Sequence, residues 1–146
     1  MSAAEFLLQI RVLERTIWRL TMKRDELQSC LLPSAIRYDL DKVQTSPEDR
    51  LAEIAGEVLE IERKLRTLRE RKACLVIEIS AAIDRLEDDR EKTILTAYYI
   101  GRHSMTDIAD VIGYSLPHTY RLRRSGVQHV EDLKDDKNDK AICGML

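Results

Sequence analysis

The chain has 146 residues, enough for one or two small domains and too few for a large enzyme fold. Charged residues make up 34% of it, against five Gly and three Pro, which is the composition of long helices rather than sheets. A formal net charge of -2 excludes a chain-wide basic character, so any surface for nucleic acid has to be local.

The spacing predicts a first helix over residues 3–28. Apolar residues recur at Phe6, Ile10, Leu13, Ile17, Leu20 and Leu27 in steps of three and four, with Arg24 completing the series. Phe6-Leu7-Leu8 is too short for a signal peptide's apolar region and is followed at once by Arg11, Glu14 and Arg15. No stretch reaches the roughly 20 apolar residues that span a bilayer. Cys30, Cys74 and Cys143 are odd in number and scattered, which points to a reducing compartment rather than a disulfide framework. A soluble, cytoplasmic chain without membrane contact is expected. Cys74, inside an apolar run, reads as a small core residue, and Cys143 as an exposed thiol.

Pro33 ends the first helix, and the irregular connection 29–47 carries Leu31, Leu32, Ile36 and Tyr38 as groups that can pack. Ser46-Pro47-Glu48-Asp49 then marks a helix start: Ser46 as a cap, Pro47 in the first turn, and two acids at the positive end of the dipole. A heptad seam follows through Leu51, Ile54, Val58, Ile61, Leu65, Leu68, Lys72, Leu75, Ile79, Ala82 and Leu86. Roughly 39 residues at 1.5 Å each make a helix of about 58 Å. Such a stripe must be covered. The first helix covers about two-thirds of it as an antiparallel hairpin, and a parallel dimeric coil would use the same seam. Lys72 is either a register device or a stem that reaches water.

Glu87-Asp88-Asp89 opens a third helix that runs to Ile100, with Ile94, Leu95, Tyr98 and Tyr99 as core candidates and Gly101 closing it. Next come Ser104–Ser115 and Leu116–Arg124, spaced as a helix-turn-helix. Ile108, Ala109, Ile112, Thr119 and Leu122 turn inward from two crossing helices, although Val or Ile would be more ordinary than Thr119. Gly113 occupies the turn, where a positive φ is often needed. Ser115 caps the next helix, whose first turn tolerates Pro117. The outward face of that helix, read over 116–126, carries Leu116, Pro117, Tyr120, Arg121 and Arg124, with His118 and Arg123 on its flanks. Three arginines and no acid lie between Tyr114 and Gly126.

In this motif the N-terminal side chains of the second helix meet base edges in the major groove, and flanking cations grip phosphate. Arg121 is the candidate for bidentate contact with guanine, and Arg102, Arg123 and Arg124 are candidates for phosphate. With Ser115, Leu116, Pro117, His118 and Tyr120 they make up the expected double-stranded DNA interface. His103, His118 and His129 are too widely spaced to hold a metal, no catalytic constellation emerges, and no cofactor is expected. Lys134–Lys140 alternates Lys with Asp and reads as a disordered tail.

From Asp89 to Val127 the chain resembles region four of bacterial sigma factors. Gly113-Tyr114-Ser115 followed by Tyr120-Arg121-Leu122 resembles, more closely, a family of phage and prophage proteins related to the RinA and ArpU types of phage transcriptional regulator. Asp41–Pro47 with Asp49-Arg50-Leu51 is similar to that family's middle segment, so the resemblance covers nearly the whole chain. His118-Thr119 departs from the aromatic and valine usual there, and sigma region two has no counterpart. The resemblance implies a regulator of phage late genes.

The expectation is therefore an all-α protein: a long two-helix coiled-coil hairpin (1–86), a three-helix DNA-binding unit (87–133) and a tail (134–146). Its partners would be double-stranded DNA, with RNA polymerase and a homodimer left open. Two other readings remain: a phage DNA-packaging component akin to a small terminase subunit, and a protein that binds polymerase or sigma factor without touching DNA.

Overall fold

A computed structural model describes residues 1–31 and 47–143, with side chains to residue 136. Within these the fold is all-α. The helices are α1 (Ala3–Ser29), α2 (Pro47–Asp84), α3 (Asp89–Leu95), α4 (Met105–Ile112) and α5 (Leu116–Cys143). One π-helical turn, Thr96–Ile100, continues α3. Among the described residues no helix is long and apolar enough to cross a membrane. The cap expected at Ser46, the packing groups Leu32, Ile36 and Tyr38, the segment 41–46 and the thiol of Cys143 lie outside the described residues.

By its contacts the chain divides into two compact units, one formed by Met1–Val12 with Ala73–Leu146 and the other by Leu13–Lys72. The division differs from the boundary drawn at residue 86. Its cause is the start of α1, which is tied by hydrogen bonds to residues far along the chain. The Ala3 amide donates to Glu131 and the Lys134 ammonium to the Met1 carbonyl, while Arg11 donates to the carbonyls of Tyr98 and His103 (3.1 Å each).

In the unit Leu13–Lys72, Ile17 packs with Ile61 and Leu65, and Leu13, Leu20, Leu27 and Leu68 surround them. Glu14 pairs with Lys72, and Gln28 donates to Glu62 (3.4 Å). Rising numbers on α1 thus meet falling numbers on α2, the pairing of antiparallel neighbours. Lys72, the one charge in the seam, keeps its stem along α1 and ends on the Glu14 carboxylate. Both groups remain partly exposed, so the pair contributes little beyond about 1 kcal/mol.

Val58, Ile61, Leu65, Leu75, Ile79 and Leu86 of the seam are buried. So is Ile83, which the heptad series omits in favour of Ala82. A straight α-helix drifts about 20° per heptad away from a strict seven-residue repeat, and by the end of α2 that drift has moved the buried stripe onto Ile83. Cys74 is exposed, not a core residue. It precedes Leu75 by one position, about 100° round the helix from the buried stripe.

In the other unit Ala3, Leu7 and Ile10 are buried at i, i+4 and i+7, while Phe6 is only half-buried. A second cluster joins Ile94, Met105, Ile108 and Leu122 from α3, α4 and α5, with Ala97, Tyr98 and Ile112 against it. α5 continues to Cys143, through the segment 134–143 that was read as a tail. The Lys134 contact to Met1 and the Gln128–Asp132 hydrogen bond (3.0 Å) support the helix beyond its first half.

Leu65 is fully buried and its removal leaves a cavity. Leu65→Ala should cost about 2–5 kcal/mol in urea unfolding, whereas Leu59→Ala, at a position 59% exposed, should stay within about 0.5 kcal/mol. Equal costs at the two positions would contradict the packing described.

Candidate nucleic-acid interface

α3 begins after Asp88, whose backbone is extended: its carboxylate accepts from the Arg90 amide (2.8 Å) and pairs with the Arg90 guanidinium (3.1 Å). Hydrogen bonding to Arg90 holds the Asp88 carboxyl below the usual carboxylate range. Seven residues on, the helix widens. The Gly101 amide reaches back to the Thr96 carbonyl (2.9 Å) and the His103 amide to Ala97 (3.0 Å). Gly101 itself keeps a right-handed φ of -76°, and it is Arg102 that takes φ +58°. The glycine is needed for space: a Cβ there would lie 2.9 Å from His103 Cδ2 and 3.0 Å from the Ala97 oxygen.

Arg11 closes this turn. Besides its two bonds to carbonyls, its guanidinium lies 3.9 Å from the centre of the Tyr98 ring. Arg123, from α5, lies 4.5 Å from the same ring and 5.1 Å from that of Tyr120. Tyr98 also meets Tyr99 edge to face (4.8 Å). Tyr99 is buried, and burial pushes its hydroxyl up from the ordinary tyrosine value.

Ser104 caps α4 by accepting from the Asp107 amide (3.1 Å). At the other end Gly113 adopts φ 77°, ψ 25°, and the amides of Gly113 and Tyr114 both bond to the Ala109 carbonyl (2.9 and 3.2 Å). A side chain with a Cβ rarely tolerates that backbone, so glycine is the residue the turn requires. Ser115 then caps α5 by accepting from the His118 amide (3.3 Å). Thr119, the position least expected inside, is fully buried, and its hydroxyl donates to the Ser115 carbonyl (2.9 Å). The polar group of Thr119 is therefore satisfied locally, and its methyl group faces the core.

Ile108, Ala109, Thr119 and Leu122 are buried and Ile112 is half-buried. On the opposite face of α5, Leu116, Pro117, Tyr120, Arg121 and Arg124 are exposed together, and His118 and Arg123 are half-buried at its flanks. Ser115 and Arg102 are exposed. Of the three arginines on α5, Arg121 and Arg124 extend from the surface, while Arg123 is engaged with two tyrosine rings. Arg90, which the sequence reading left out, is linked to Tyr114 by a hydrogen bond that raises its pKa further, after the larger effect of Asp88.

Sequence reasoning also missed Glu91. It is only 3% exposed, and it holds α3 against α5: Ser125 donates to one carboxylate oxygen (2.8 Å) and His129 Nδ1 meets the other (2.7 Å). Between those two partners, Gly126 has no side chain to keep the helices apart. A Cβ there would meet Leu95 at 3.0 Å and the Glu91 Cβ at 3.3 Å. A signal was available. Glu91 precedes Ile94 and Leu95 by three and four positions, on the buried stripe of α3, and Ser125 and His129 are four apart on one face of α5.

The hydrogen bond to Glu91 raises the His129 pKa above its ordinary value, with Asp132 and Asp88 adding to the shift and partial burial opposing it. A histidine whose pKa is raised on folding contributes stability that is complete below its unfolded value, about 6.5, and lost as pH rises through the folded value. The unfolding midpoint in urea should therefore fall between about pH 6 and about pH 8.5 by more in the native chain than in His129→Gln. Identical pH dependence in the two proteins would show that the Glu91–His129 contact carries no linkage.

No curated protein and no solved structure matches the chain. The family model described as a protein of unknown function, DUF1492, matches residues 36–131. The match takes in α2, α3, the π turn, α4 and the first half of α5, about two-thirds of the sequence. The chain belongs to the DUF1492 family.

Proposed function

We propose that residues 104–126 form a helix-turn-helix that binds double-stranded DNA with α5 in the major groove, in a transcriptional regulator of phage or prophage origin. One observation carries this reading: a single face of α5 presents Leu116, Pro117, Tyr120, Arg121 and Arg124 to solvent, with no acid between Tyr114 and Gly126. The opposite face, through Thr119 and Leu122, is buried. Support comes also from the left-handed Gly113 and from the Ser115 cap, which set the start of α5 where exposed side chains can reach base edges.

In this role Arg121 makes the bidentate contact to guanine, and Arg124 and Arg102 grip phosphate. Arg123 acts mainly by holding Tyr98 and Tyr120 in place. The long helices supply a dimer contact or a surface for RNA polymerase. In a dimer, two copies of α5 would read half-sites about 34 Å, or a multiple of it, apart.

A second reading is favoured by α4. Its exposed side carries Asp107, Asp110 and Val111, the last 86% exposed, which is a surface suited to protein rather than to phosphate. On that reading the unit contacts polymerase or a sigma factor without DNA.

Binding of the full chain to phage and host upstream duplexes at several salt concentrations separates the two. Arg121→Ala should lose about 1–3 kcal/mol on the preferred sequence and relax the base preference at one position. Arg124→Ala should weaken all duplexes alike and reduce the salt slope by about one. Failure of every duplex to bind at low salt would overturn the DNA reading and favour the protein contact.

A further inference from the structure

Base contacts in this motif come chiefly from the first turns of the second helix, and a base edge is read either by hydrogen bonds or by apolar contact. At the start of α5 the exposed Ser115 hydroxyl and the His118 ring each make one contact within the protein. The Ser115 hydroxyl accepts from the His118 amide, and the His118 ring, half-buried, is held edge-on to Tyr114 at 5.0 Å. Between Ser115 and His118 lie two exposed side chains, Leu116 (39% exposed) and Pro117, and both are pure hydrocarbon. Tyr120 continues the strip one turn on, also 39% exposed. Exposed hydrocarbon at the start of a well-ordered helix, with Arg121 and Arg124 beside it and no acid from Tyr114 to Gly126, suits an apolar group carried on a polyanion. In the major groove only one natural base presents such a group, the 5-methyl of thymine.

We propose that Leu116 and Pro117, in the first turn of α5, read the 5-methyl group of thymine, while Arg121 supplies the hydrogen-bonded contact to a neighbouring guanine. The assignment rests on the DNA-binding reading and names the base chemistry that reading leaves open. It follows from the side chains displayed and not from the dipole of the helix. The preferred site therefore contains a thymine next to a guanine, and part of its discrimination is a methyl group.

The test uses the full chain. Bound sequences are selected from a random duplex pool, and each thymine of the selected site is then replaced in turn by uracil, which keeps every hydrogen-bonding group and removes only the methyl. One replacement should weaken binding about fourfold, the size of one buried carbon group. That difference should vanish in Leu116→Ala or Pro117→Ala, both changes at exposed positions that leave the core intact. Indifference to every uracil replacement, with Arg121→Ala still impaired, overturns the thymine assignment and leaves the DNA reading standing. A thymine–uracil difference that persists undiminished in both variants puts the methyl contact elsewhere and also overturns it. No enrichment and no duplex binding at low salt removes both.

Discussion

The buried carboxylate of Glu91 is the constraint on which the C-terminal unit depends. A carboxylate taken out of water is tolerated only when its oxygens find donors, and here each oxygen has one, both supplied by α5. Ser125 and His129 are one turn apart, so the pair fixes the rotation of α5 about its own axis as well as its position. Gly126, between them, lets the helices approach until Leu95 and the Glu91 stem would touch any added Cβ. Once α5 is set in this way, Leu122 and Thr119 must face inward and Arg121 and Arg124 outward. The exposed face of α5 is thus a consequence of a contact that begins at the next residue of the same helix.

The start of α1 does comparable work from the other side. Arg11 donates to two carbonyls of the segment that links α3 to α4, where the π turn leaves the backbone less regular, and its guanidinium, like that of Arg123, lies against the Tyr98 ring. A tyrosine ring in contact with two guanidinium groups joins three elements through cation–π contacts, each worth about 0.5–2 kcal/mol depending on exposure. The surface proposed to meet DNA has to be held by rigid elements. These contacts meet that need, and they explain why residues 1–12 belong structurally with the C-terminal half of the chain.

The charge on the chain is arranged in the same spirit. A net charge of -2 hides a local excess of arginine on α5, and the acids that balance it on the neighbouring helix, Asp107 and Asp110, are on α4. On the proposed reading such a division suits one helix to phosphate and leaves the other for a different contact. It lets the proposed DNA-binding helix sit within a chain of net negative charge.

Much of this could be read from the sequence because the signals were local or periodic. The all-α class, the start of α2 at Pro47, the alternation of burial along α1 and α2, the left-handed Gly113 and the two faces of α5 all follow from spacing and from the chemistry of single residues. Gly113 is the clearest case, because the φ it must adopt depends only on its immediate neighbours. Tertiary structure alone decided the rest. Cys74 is exposed because it lies about 100° round α2 from Leu75, and Ile83 is buried because the stripe departs from a seven-residue count. Gly101 is required because His103 and Ala97 leave no room for a Cβ there, and the positive φ falls on Arg102 instead. Glu91, Arg11 and Arg123 acquire their roles from partners on other elements, 25 to 92 residues away in sequence, as Arg11 and Arg123 both do at Tyr98. No periodicity records such meetings. A charged side chain looks the same in sequence whether it faces water or a buried donor, and only the packing of helices distinguishes the two.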